Sequence, residues 1–464
     1  ILNFFDAPQE RSKKYLHLLS KMIPYIYQVK RRGIMKRREL FGGILLITAV
    51  SVFMTGCGGE QKKDNAKADK GGKTKLRFAS WDVADDIDLQ QGVVDEFNKT
   101  HDDIEVSLEA YGSDFDTKIS AGMGSGDTPD VMYMWNYPAY YEGLEPLDSY
   151  IEKEGEDYKK DFYDTLWDYN SMNEQIYGIP VGFTTHALFY NKDLFEQAGL
   201  DPNAPPTTIE EMMEIAPKLA ALKTSDGNPV YPFGMTTGSV SVSGSCLTSL
   251  VYGFGGSVLD ADGNLDIDND GFKQSFEFLK ELDDKGYNPQ VSKLKDLRNL
   301  FALGQLGMYY DTSWGFNGIN SINPDAKDFI ASAAPLAGGS GSGESLMQGH
   351  VFMVGNNGEA QMEATKLLIK YILTEKVLGP YLEDIAPGYP SLSVLSEIPA
   401  ITESPVLSGA VNSINTAKGI ANIPTINDFN IELTALAQAV TVDNKDIDTA
   451  IKDFKSSAGN ILGN

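Results

Sequence analysis

Cysteine is nearly absent from this chain, which has two cysteines, Cys57 and Cys246, in 464 residues. Small secreted domains that cannot build a large core depend on several disulfides, so a disulfide framework is excluded here. The chain is also longer than a single hydrophobic core usually serves. The sequence therefore predicts two lobes or domains that are held together by packed cores.

Histidine is scarce as well, and the four histidines are His17, His101, His186 and His350. So few imidazoles are a weak basis for a catalytic triad or a zinc site. The sequence also lacks Gly-x-Ser-x-Gly, His-Glu-x-x-His and phosphate-loop patterns. We therefore predict that the chain is not an enzyme and has no cofactor, and we expect Cys246 to be a small buried side chain rather than a nucleophile.

Positive charge is in deficit, with 39 Lys and Arg against 65 Asp and Glu and a formal net charge of −26. Residues 1–56 hold ten of the basic residues and three of the acidic ones, so the remainder has 29 and 62 and a net charge of −33. Nucleic acid and anionic lipid headgroups would be repelled, so neither is expected as a partner. We interpret the acidity mainly as a source of solubility.

The first apolar run is too short for a membrane span. It covers residues 40–54, follows a basic stretch at residues 35–38 and ends in small residues, as an export signal does. Translation is expected to begin at Met35, with residues 1–34 as non-coding upstream sequence. Residues 35–56 are then the signal peptide.

A lipidation pattern follows the apolar run. Met54-Thr55-Gly56-Cys57 resembles the lipobox of bacterial lipoproteins, in which a peptidase cleaves before a cysteine that has received a diacylglycerol. The resemblance implies that Cys57 is the lipid-carrying N-terminus of the mature protein, and an uncleaved anchor helix is the alternative. Residues 57–74 are predicted to be a flexible tether, because they are polar and almost free of apolar side chains.

Strand and helix patterns alternate in the rest of the chain. Residues 76–79 and 104–108 are predicted strands, and residues 89–97 between them have helical apolar spacing. A further strand is predicted at residues 130–134, and residues 207–210 resemble a helix capping box. This alternation predicts α/β lobes with mixed, mostly parallel sheets flanked by helices, whose ligands gather at the carboxyl ends of strands.

Six short sequence motifs follow one another in a fixed order. They are Gly126-Asp127-Thr128-Pro129-Asp130-Val131, Gly143-Leu144-Glu145-Pro146-Leu147-Asp148, Tyr177-Gly178-Ile179-Pro180, Leu188-Phe189-Tyr190-Asn191-Lys192-Asp193-Leu194-Phe195, Pro206-Thr207-Thr208 and Gly307-Met308-Tyr309-Tyr310. Each motif alone is weak evidence for a protein family, whereas the order of all six along the chain is strong evidence. The chain resembles the carbohydrate-binding members of the ABC solute-binding proteins, the maltose-binding-like group, over essentially all of residues 75–464.

The resemblance implies a two-lobe, periplasmic-binding-protein-like fold with a hinge between the lobes. Lobe 1 would comprise residues 75–183 and 347–385, and lobe 2 residues 184–346 and 386–464. The lobes would close over an oligosaccharide in the cleft between them. The chain would then be the substrate-binding subunit of an ABC importer, a monomer that is lipid-anchored at the extracellular face of the cell membrane and delivers its ligand to membrane permease subunits.

Aromatic and polar residues stand together where predicted strands end. A pyranose has an apolar face and a rim of hydroxyls, so a sugar site combines flat rings with carboxylates, amides or imidazole. The predicted ligand-binding residues of this kind are Trp81 and Asp82 after the first strand, Trp135 and Asn136 after the third, and Trp314, which stands where the family has a stacking tryptophan. The fourth tryptophan, Trp167, has helical spacing with its apolar neighbours and is predicted to lie in a core.

The expected crossings between the lobes add further candidates. Phe183 and Thr184 lie at the first crossing, and Gln348 and His350 lie at the second. All four are predicted to face the ligand. Tyr389 joins them because its loop resembles a ligand-facing loop of the family.

The identity of the ligand stays open. Phe429-Asn430 stands where maltose binders have an aromatic residue after Ile423-Pro424, and Thr184 stands where they have a carboxylate, so maltodextrin specificity does not carry over. A binder of another solute, such as a peptide, a polyamine or a metal, is one alternative. A glycoside hydrolase is another, although a chain this acidic always offers some pair of carboxylates.

A calcium loop is the strongest metal-like pattern in the sequence. Residues 260–271 are rich in the oxygen ligands that calcium prefers. Leu265 and Gly271 stand where an EF-hand has Gly and Glu, so the pattern does not fit. A hairpin turn at Asp262-Gly263 is predicted instead.

The lipid anchor can be tested by substituting its cysteine. Cys57→Ala removes the only thiol to which a diacylglycerol can be attached at the lipobox, so we expect an unlipidated precursor that retains its signal peptide. Mass spectrometry of the membrane fraction measures both masses. An unmodified Cys57 in the wild-type membrane fraction would show that the anchor prediction is wrong.

Overall fold

The computed structural model describes residues 72–81, 85–134, 137–155, 157–384, 388–393 and 398–463. These residues belong to one compact unit that runs from Ala68 to Asn464. The expected upstream segment, the signal peptide at residues 35–56 and Cys57 lie outside the described residues. Within the described ranges, every helix falls short of the length and apolarity that crossing a membrane requires.

Strands alternate with helices along the chain, as the sequence pattern predicts. The strands are β1 (Thr74–Ser80), β2 (Ile104–Ala110), β3 (Val131–Met134), β4 (Ser171–Met172), β5 (Gln175–Ile176), β6 (Gly178–Thr185), β7 (Ala187–Asn191), β8 (Tyr231–Gly234), β9 (Leu306–Asp311), β10 (Ile330–Ala333), β11 (Met347–Val354) and β12 (Tyr389–Pro390). The α-helices are α1 (Asp85–Thr100), α2 (Phe115–Ser125), α3 (Asp148–Glu154), α4 (Asp164–Tyr169), α5 (Lys192–Gln197), α6 (Ile209–Ala220), α7 (Ser241–Gly253), α8 (Asp270–Asp284), α9 (Leu294–Ala302), α10 (Phe316–Ile322), α11 (Ala326–Phe329), α12 (Glu359–Ile372), α13 (Glu375–Asp384), α14 (Pro399–Thr402), α15 (Ile426–Thr441) and α16 (Ile447–Leu462).

The first sheet has six strands in the order β12-β6-β11-β3-β1-β2. β1 is parallel to β2 and β3, which is the predicted βαβ opening. β11 is antiparallel to β3 and β6, and β12 is antiparallel to β6. Antiparallel pairs thus outnumber parallel ones, contrary to the expectation of mostly parallel sheets, because β11 enters this sheet from the second lobe and runs against its neighbours.

The second sheet has four strands in the order β10-β7-β9-β8. β8 and β9 are parallel, whereas β7 is antiparallel to both β9 and β10. Because β8 and β9 point the same way, their carboxyl ends meet at one edge of the sheet. The segments that follow Gly234 and Asp311 therefore begin side by side.

Two short crossings connect the sheets. β6 ends at Thr185 and β7 begins at Ala187, so a single residue, His186, separates them. The return crossing leads through Leu346 into β11. The backbone N–H of His186 donates to the Leu346 carbonyl over 3.2 Å, so the two crossings are hydrogen-bonded to each other.

The segment around Tyr389 contacts both halves of the molecule. Tyr389 pairs with Phe183 at the edge of the first sheet, although the boundary predicted at residue 386 assigns it to lobe 2. Its ring packs with the hydrophobic core of the second sheet. The lobe boundaries themselves stay predictions.

The predicted capping box at the start of α6 is shifted by one residue. The Thr208 hydroxyl accepts a hydrogen bond from the Glu211 N–H over 3.1 Å, and the Glu211 carboxylate accepts one from the Thr207 N–H over 2.8 Å. The box therefore uses Glu211 and not Glu210, because Glu211 is the third residue after the capping residue Thr208.

Each sheet carries its own hydrophobic core. Cys246 on α7 is fully buried in the core of the second sheet, and burial raises the pKa of its thiol. Trp167 on α4 is 6% exposed in the core of the first sheet. The predictions of a small buried side chain for Cys246 and of a core residue for Trp167 are confirmed.

The acidic stretch at residues 260–271 contains the predicted turn. Leu259 and Leu265 form an antiparallel bridge across it. The Asp260 carboxylate accepts a hydrogen bond from the Asn264 N–H over 2.8 Å, so the acidic side chain stabilises the turn itself. In the part of the chain that the structure describes, no group of three or more His, Cys, Asp or Glu side chains could hold a metal ion.

Two helical glycines provide a matched test of the packing between α7 and α15. A Cβ on Gly244 would lie 2.3 Å from the backbone oxygen of Asn430, whereas a Cβ on Gly92 in α1 meets nothing within 4 Å. Gly244→Ala should therefore lower the free energy of unfolding by about 1–3 kcal/mol. Gly92→Ala should raise it by about 0.5–1 kcal/mol, because alanine is the better helix former. Urea unfolding of both variants measures the difference, and a neutral Gly244→Ala would contradict the close helix contact.

Candidate functional site

The two crossing strands bring three predicted site residues to one face of the first sheet. β6 and β11 pair so that Thr184 lies opposite Gln348 and Gly182 lies opposite His350. Paired residues share a face, and residues two apart along a strand share it as well. Thr184, Gln348 and His350 therefore project from the same side of the crossing.

His350 is the centre of an aromatic cluster. Its imidazole stacks on the Trp314 indole, with ring centroids 3.9 Å apart and an interplanar angle of 14°. The Trp81 ring meets the imidazole edge-on at 5.4 Å. The Tyr133 hydroxyl lies 2.7 Å from Nδ1 of His350. Residues from β1, β3, β11 and the end of β9 therefore converge on one imidazole.

Two nitrogens of this cluster are buried without a hydrogen-bond partner among the residues that the structure describes. They are Nε2 of His350, whose side chain is 4% exposed, and Nε1 of Trp81. Native proteins rarely leave a buried polar atom unpaired, so such atoms call for an explanation. Both nitrogens can pair with hydroxyl groups of a ligand.

The His350 imidazole is neutral. Burial lowers its pKa to about 3. The cluster is aromatic and neutral, which suits an uncharged polar ligand.

Trp314 is joined to the first crossing through its neighbour. It lies in the 3-10 turn Ser313–Gly315, directly after β9. The Ser313 and Thr184 hydroxyls are 2.9 Å apart, and the Ser313 N–H donates to the Thr184 hydroxyl over 3.3 Å. Thr184 thus connects the crossing strand to the turn that carries the indole.

Phe183 and Tyr389 lie on the other side of the crossing. Phe183 precedes Thr184 and so points to the opposite face of β6, and Tyr389 is its paired residue on β12. Their ring centroids are 5.5 Å apart, and the Tyr389 hydroxyl donates to the Leu407 carbonyl over 3.0 Å. The structure places both residues in a packed core and does not bring them to the aromatic cluster.

Gln348 lines a small cavity of about 40 Å³ between the two halves of the molecule. Asn430 on α15 lines the same cavity and is 5% exposed. Its Nδ2 donates to the hydroxyls of Ser241 and Ser245 over 3.3 Å each. Its Oδ1 has no partner. Asn430 is thus a third buried residue with an unpaired polar atom.

Asn430 and Tyr133 were not among the candidates from the sequence. The sequence pointed only to the Phe429-Asn430 pair, which stands where maltose binders have an aromatic residue. No local signal marks Tyr133, which is one of several apolar and aromatic residues in β3. Asp82, Trp135 and Asn136 lie outside the described residues.

A second buried imidazole lies at the first crossing. Nδ1 of His186 is 3.3 Å from the Leu346 carbonyl, and Nε2 is 3.5 Å from the Cys246 sulfur. Burial lowers the pKa of His186 to about 4. Both imidazoles at the crossings are therefore neutral at physiological pH.

Comparison with a family model agrees with the fold and its crossings and assigns this chain to a protein family. The model for the bacterial extracellular solute-binding protein family matches residues 83–378, which is more than half of the chain. The chain belongs to this family. As a solute-binding protein, it is expected to act outside the cytoplasm.

Curated relatives of this solute-binding protein differ in their named ligands. The melibiose/raffinose/stachyose-binding protein of Bacillus subtilis is 23% identical over 202 residues, which cover 41% of this chain and 42% of the relative. An sn-glycerol-3-phosphate-binding periplasmic protein of Brucella abortus is 23% identical over 239 residues, or 48% of this chain and 54% of the relative. The chain spans about half the length of the curated relatives it matches.

Solved structures confirm the two-lobe fold of this solute-binding protein. The cyclic alpha-maltosyl-1,6-maltose binding protein from Arthrobacter globiformis superimposes with a TM-score of 0.73 at 20% identity. The match covers 84% of this chain and 99% of that structure. The predicted periplasmic-binding-protein-like fold is therefore confirmed.

The two neutral imidazoles predict an acid-sensitive fold. Above pH 6.5 the folded and unfolded states both hold neutral imidazoles, so His186 and His350 leave stability unchanged. As pH falls from 6.5 towards 4, the unfolded chain takes up protons that these buried rings, with pKa values of about 4 and 3, do not. The free energy of unfolding should then fall by about 1.4 kcal/mol per pH unit for each ring.

Urea unfolding across this pH range, with His350→Phe as the comparison, measures the effect. The variant keeps an aromatic ring against Trp314 but has no titrating group at that position. The slope of unfolding free energy against pH should therefore lose the contribution of one proton. An unchanged slope would show that His350 takes up its proton in the folded state.

Proposed function

We propose that this solute-binding protein captures a carbohydrate, specifically an oligosaccharide, for an ABC importer. The observation that carries the proposal is the cluster in which Trp314 stacks on His350 while the buried nitrogens of His350 and Trp81 have no partner. Stacked rings suit the apolar face of a pyranose, and buried unpaired nitrogens suit its hydroxyls. The relative that binds melibiose, raffinose and stachyose supports a sugar as the ligand.

The site that we propose combines predicted and newly observed residues. Trp314 offers the ring face that is turned away from His350, because the imidazole covers the other face. Asp82, Trp135 and Asn136 remain proposed ligand contacts from the sequence, and Asn430 is added because its Oδ1 is buried and unpaired. The remaining proposed contacts are Trp81, Thr184, Gln348 and His350.

An anionic solute is the main competing ligand, since one relative binds sn-glycerol 3-phosphate. A phosphate group would need Arg, Lys or a cluster of backbone N–H groups to receive it. Arg298 lies beside the Trp314 turn, but it is already paired with Asp311 at 2.7 Å. This pairing favours a neutral sugar.

A glycoside hydrolase would need two carboxylates on opposite sides of the bound sugar. Among the described residues at the aromatic cluster, the hydrogen-bonding groups are hydroxyls, amides, an indole and an imidazole. The binding function therefore accounts for the cluster better than hydrolysis does.

The proposal also covers the membrane anchor, the closure of the lobes and the transport partners. The lipobox at Cys57 supports anchoring at the extracellular face of the membrane, and the short crossings at His186 and Leu346 support closure of two lobes over the ligand. The family supports delivery to permease subunits, and we propose that the protein acts as a monomer. ATP hydrolysis would belong to a partner subunit.

A binding panel tests this function directly. Melibiose, raffinose, stachyose, maltotriose and mannobiose are titrated by calorimetry, with sn-glycerol 3-phosphate as the anionic comparison, and each sugar is assayed for hydrolysis after incubation. We expect binding of at least one sugar without turnover and no binding of the phosphate. Binding of the phosphate alone, or release of sugar products, would overturn the proposal.

Trp314→Ala should weaken binding of the panel sugar with the lowest Kd by more than tenfold. Losing a central aromatic anchor typically costs on the order of 2 kcal/mol, which is roughly thirty-fold in Kd. The melting temperature without ligand should shift by only a few degrees, because the indole lies outside both cores. Calorimetry and thermal melting measure the two effects.

Trp167→Phe is the matched control for this prediction. Trp167 is a buried core residue, so its replacement should lower the melting temperature and leave the Kd nearly unchanged. Near-normal sugar affinity in Trp314→Ala, or collapse of its ligand-free fold, would show that the indole is a packing residue.

A further inference from the structure

The turn that carries Trp314 is held at both ends. Ser313 is hydrogen-bonded to Thr184, as described above. At the other end, the Gly315 N–H donates to the Thr312 carbonyl over 2.9 Å, which is the hydrogen bond that closes the turn. A second hydrogen bond, from the Phe316 N–H to the Ser313 carbonyl, leads into α10. A single 3-10 turn held by two such bonds has little stability of its own. Its geometry must therefore come from the structure beneath it.

Beneath the turn lies an ion pair whose carboxylate is fully buried and whose guanidinium is partly exposed. The Asp311 side chain is fully buried, and its carboxylate accepts hydrogen bonds from Nε and Nη2 of Arg298, both over 2.7 Å. It also accepts hydrogen bonds from the Tyr309 hydroxyl over 2.8 Å and from the Thr312 N–H over 2.7 Å. Four donors thus fix one carboxylate at the end of β9. A planar guanidinium that binds both oxygens also fixes the orientation of the pair.

The backbone of the turn rests directly on this ion pair. A Cβ on Gly315 would lie 2.3 Å from Oδ2 of Asp311 and 2.6 Å from Nε of Arg298. The φ of Gly315 is −70°, a value open to any residue, so glycine is needed here for space and not for conformation. Arg298 comes from α9, the helix that precedes β9, so the position of the turn depends on this helix as well as on the strand.

We propose that Arg298 is a positioning residue for ligand binding, which acts through Asp311 and Gly315 to hold the Trp314 indole against His350. The inference rests on the proposed function, because the indole is the proposed sugar platform. A buried ion pair adds little net stability compared with well-packed apolar residues. Its fixed geometry, by contrast, sets where the turn lies, and binding sites are sensitive to displacements of an ångström or less.

The chain contains a matched control for this ion pair. Arg77 on β1 also forms a two-pronged pair, in which its Nε and Nη2 donate to the two carboxylate oxygens of Glu109 over 2.8 and 3.0 Å. That pair lies at the β1–β2 edge of the first sheet, on strands that do not carry Trp314. Arg77→Lys therefore makes the same chemical change as Arg298→Lys at a place where no effect on the indole is expected.

The first experiment needs no ligand. The protein is labelled with 5-fluorotryptophan, and the Trp314 resonance is assigned by its loss in Trp314→Ala. The resonance reports the stacking on His350 through the ring current of the imidazole. Arg298→Lys should move or broaden this resonance and leave that of Trp167 in place, whereas Arg77→Lys should change neither. A Trp314 resonance that is unmoved in Arg298→Lys would overturn the proposal.

The second experiment separates positioning from direct contact with the ligand. The Kd of the tightest panel sugar is measured for Arg298→Lys, Trp314→Ala and the double variant, with thermal melting in parallel. Arg298→Lys should weaken binding roughly five- to tenfold when Trp314 is present and less than twofold when it is absent. The change in melting temperature should be the same in both backgrounds, because the effect on stability does not pass through the indole.

The results of these two experiments can be distinguished from a failure of the proposed sugar-binding function. Equal losses of affinity in both backgrounds would mean that Arg298 acts on the ligand or on the fold and not through Trp314, which would overturn the inference. If no sugar binds at all, the proposed function fails, whereas the fluorine resonances still decide whether Arg298 positions the indole.

Discussion

The antiparallel pairing of β6 with β11 is the interaction on which the rest of the site depends. It joins the outgoing and the returning crossing, and its register places Thr184, Gln348 and His350 on one face. A slip of one residue would turn that face over and put Phe183 where Thr184 meets the Trp314 turn. The aromatic cluster therefore exists because a backbone ladder fixes which side chains point towards that turn.

Sequence patterns predicted the features that depend on neighbours along the chain. The alternation of strands and helices, the core position of Trp167 and the burial of Cys246 follow from local composition and periodicity. The capping box at α6 was predicted one residue early, because Thr207 and Thr208 are equally good capping residues in sequence. The geometry of the helix start decides between them.

Features that depend on which strands pair with each other could not be predicted from local sequence patterns. Phe183 and Thr184 are adjacent in sequence, and no local signal shows which of them faces the Trp314 turn. Tyr389 was expected at the ligand, but its pairing with Phe183 carries it to the buried side of β6. The excess of antiparallel pairs has the same origin, since strand direction after a return crossing is a property of the topology. Trp314 was predicted as a stacking residue, but its stacking partner His350 comes from a strand that follows later in the chain.

The unpaired polar atoms connect the energetics of the fold to those of binding. Nε2 of His350, Nε1 of Trp81 and Oδ1 of Asn430 are all buried without a partner in the described part of the chain. Each such group costs about 1–3 kcal/mol in the folded state. A ligand that brings hydroxyl groups would supply the missing hydrogen bonds and recover part of that cost. Because His350 is neutral and Asn430 is an amide, such hydrogen bonds would carry no net charge and would depend little on salt. The same low polarity that makes these atoms costly in the empty protein also strengthens each hydrogen bond once it forms. Selectivity for a neutral polyhydroxyl ligand over an ion would thus arise from the burial of uncharged groups, and the same burial keeps both crossing imidazoles deprotonated.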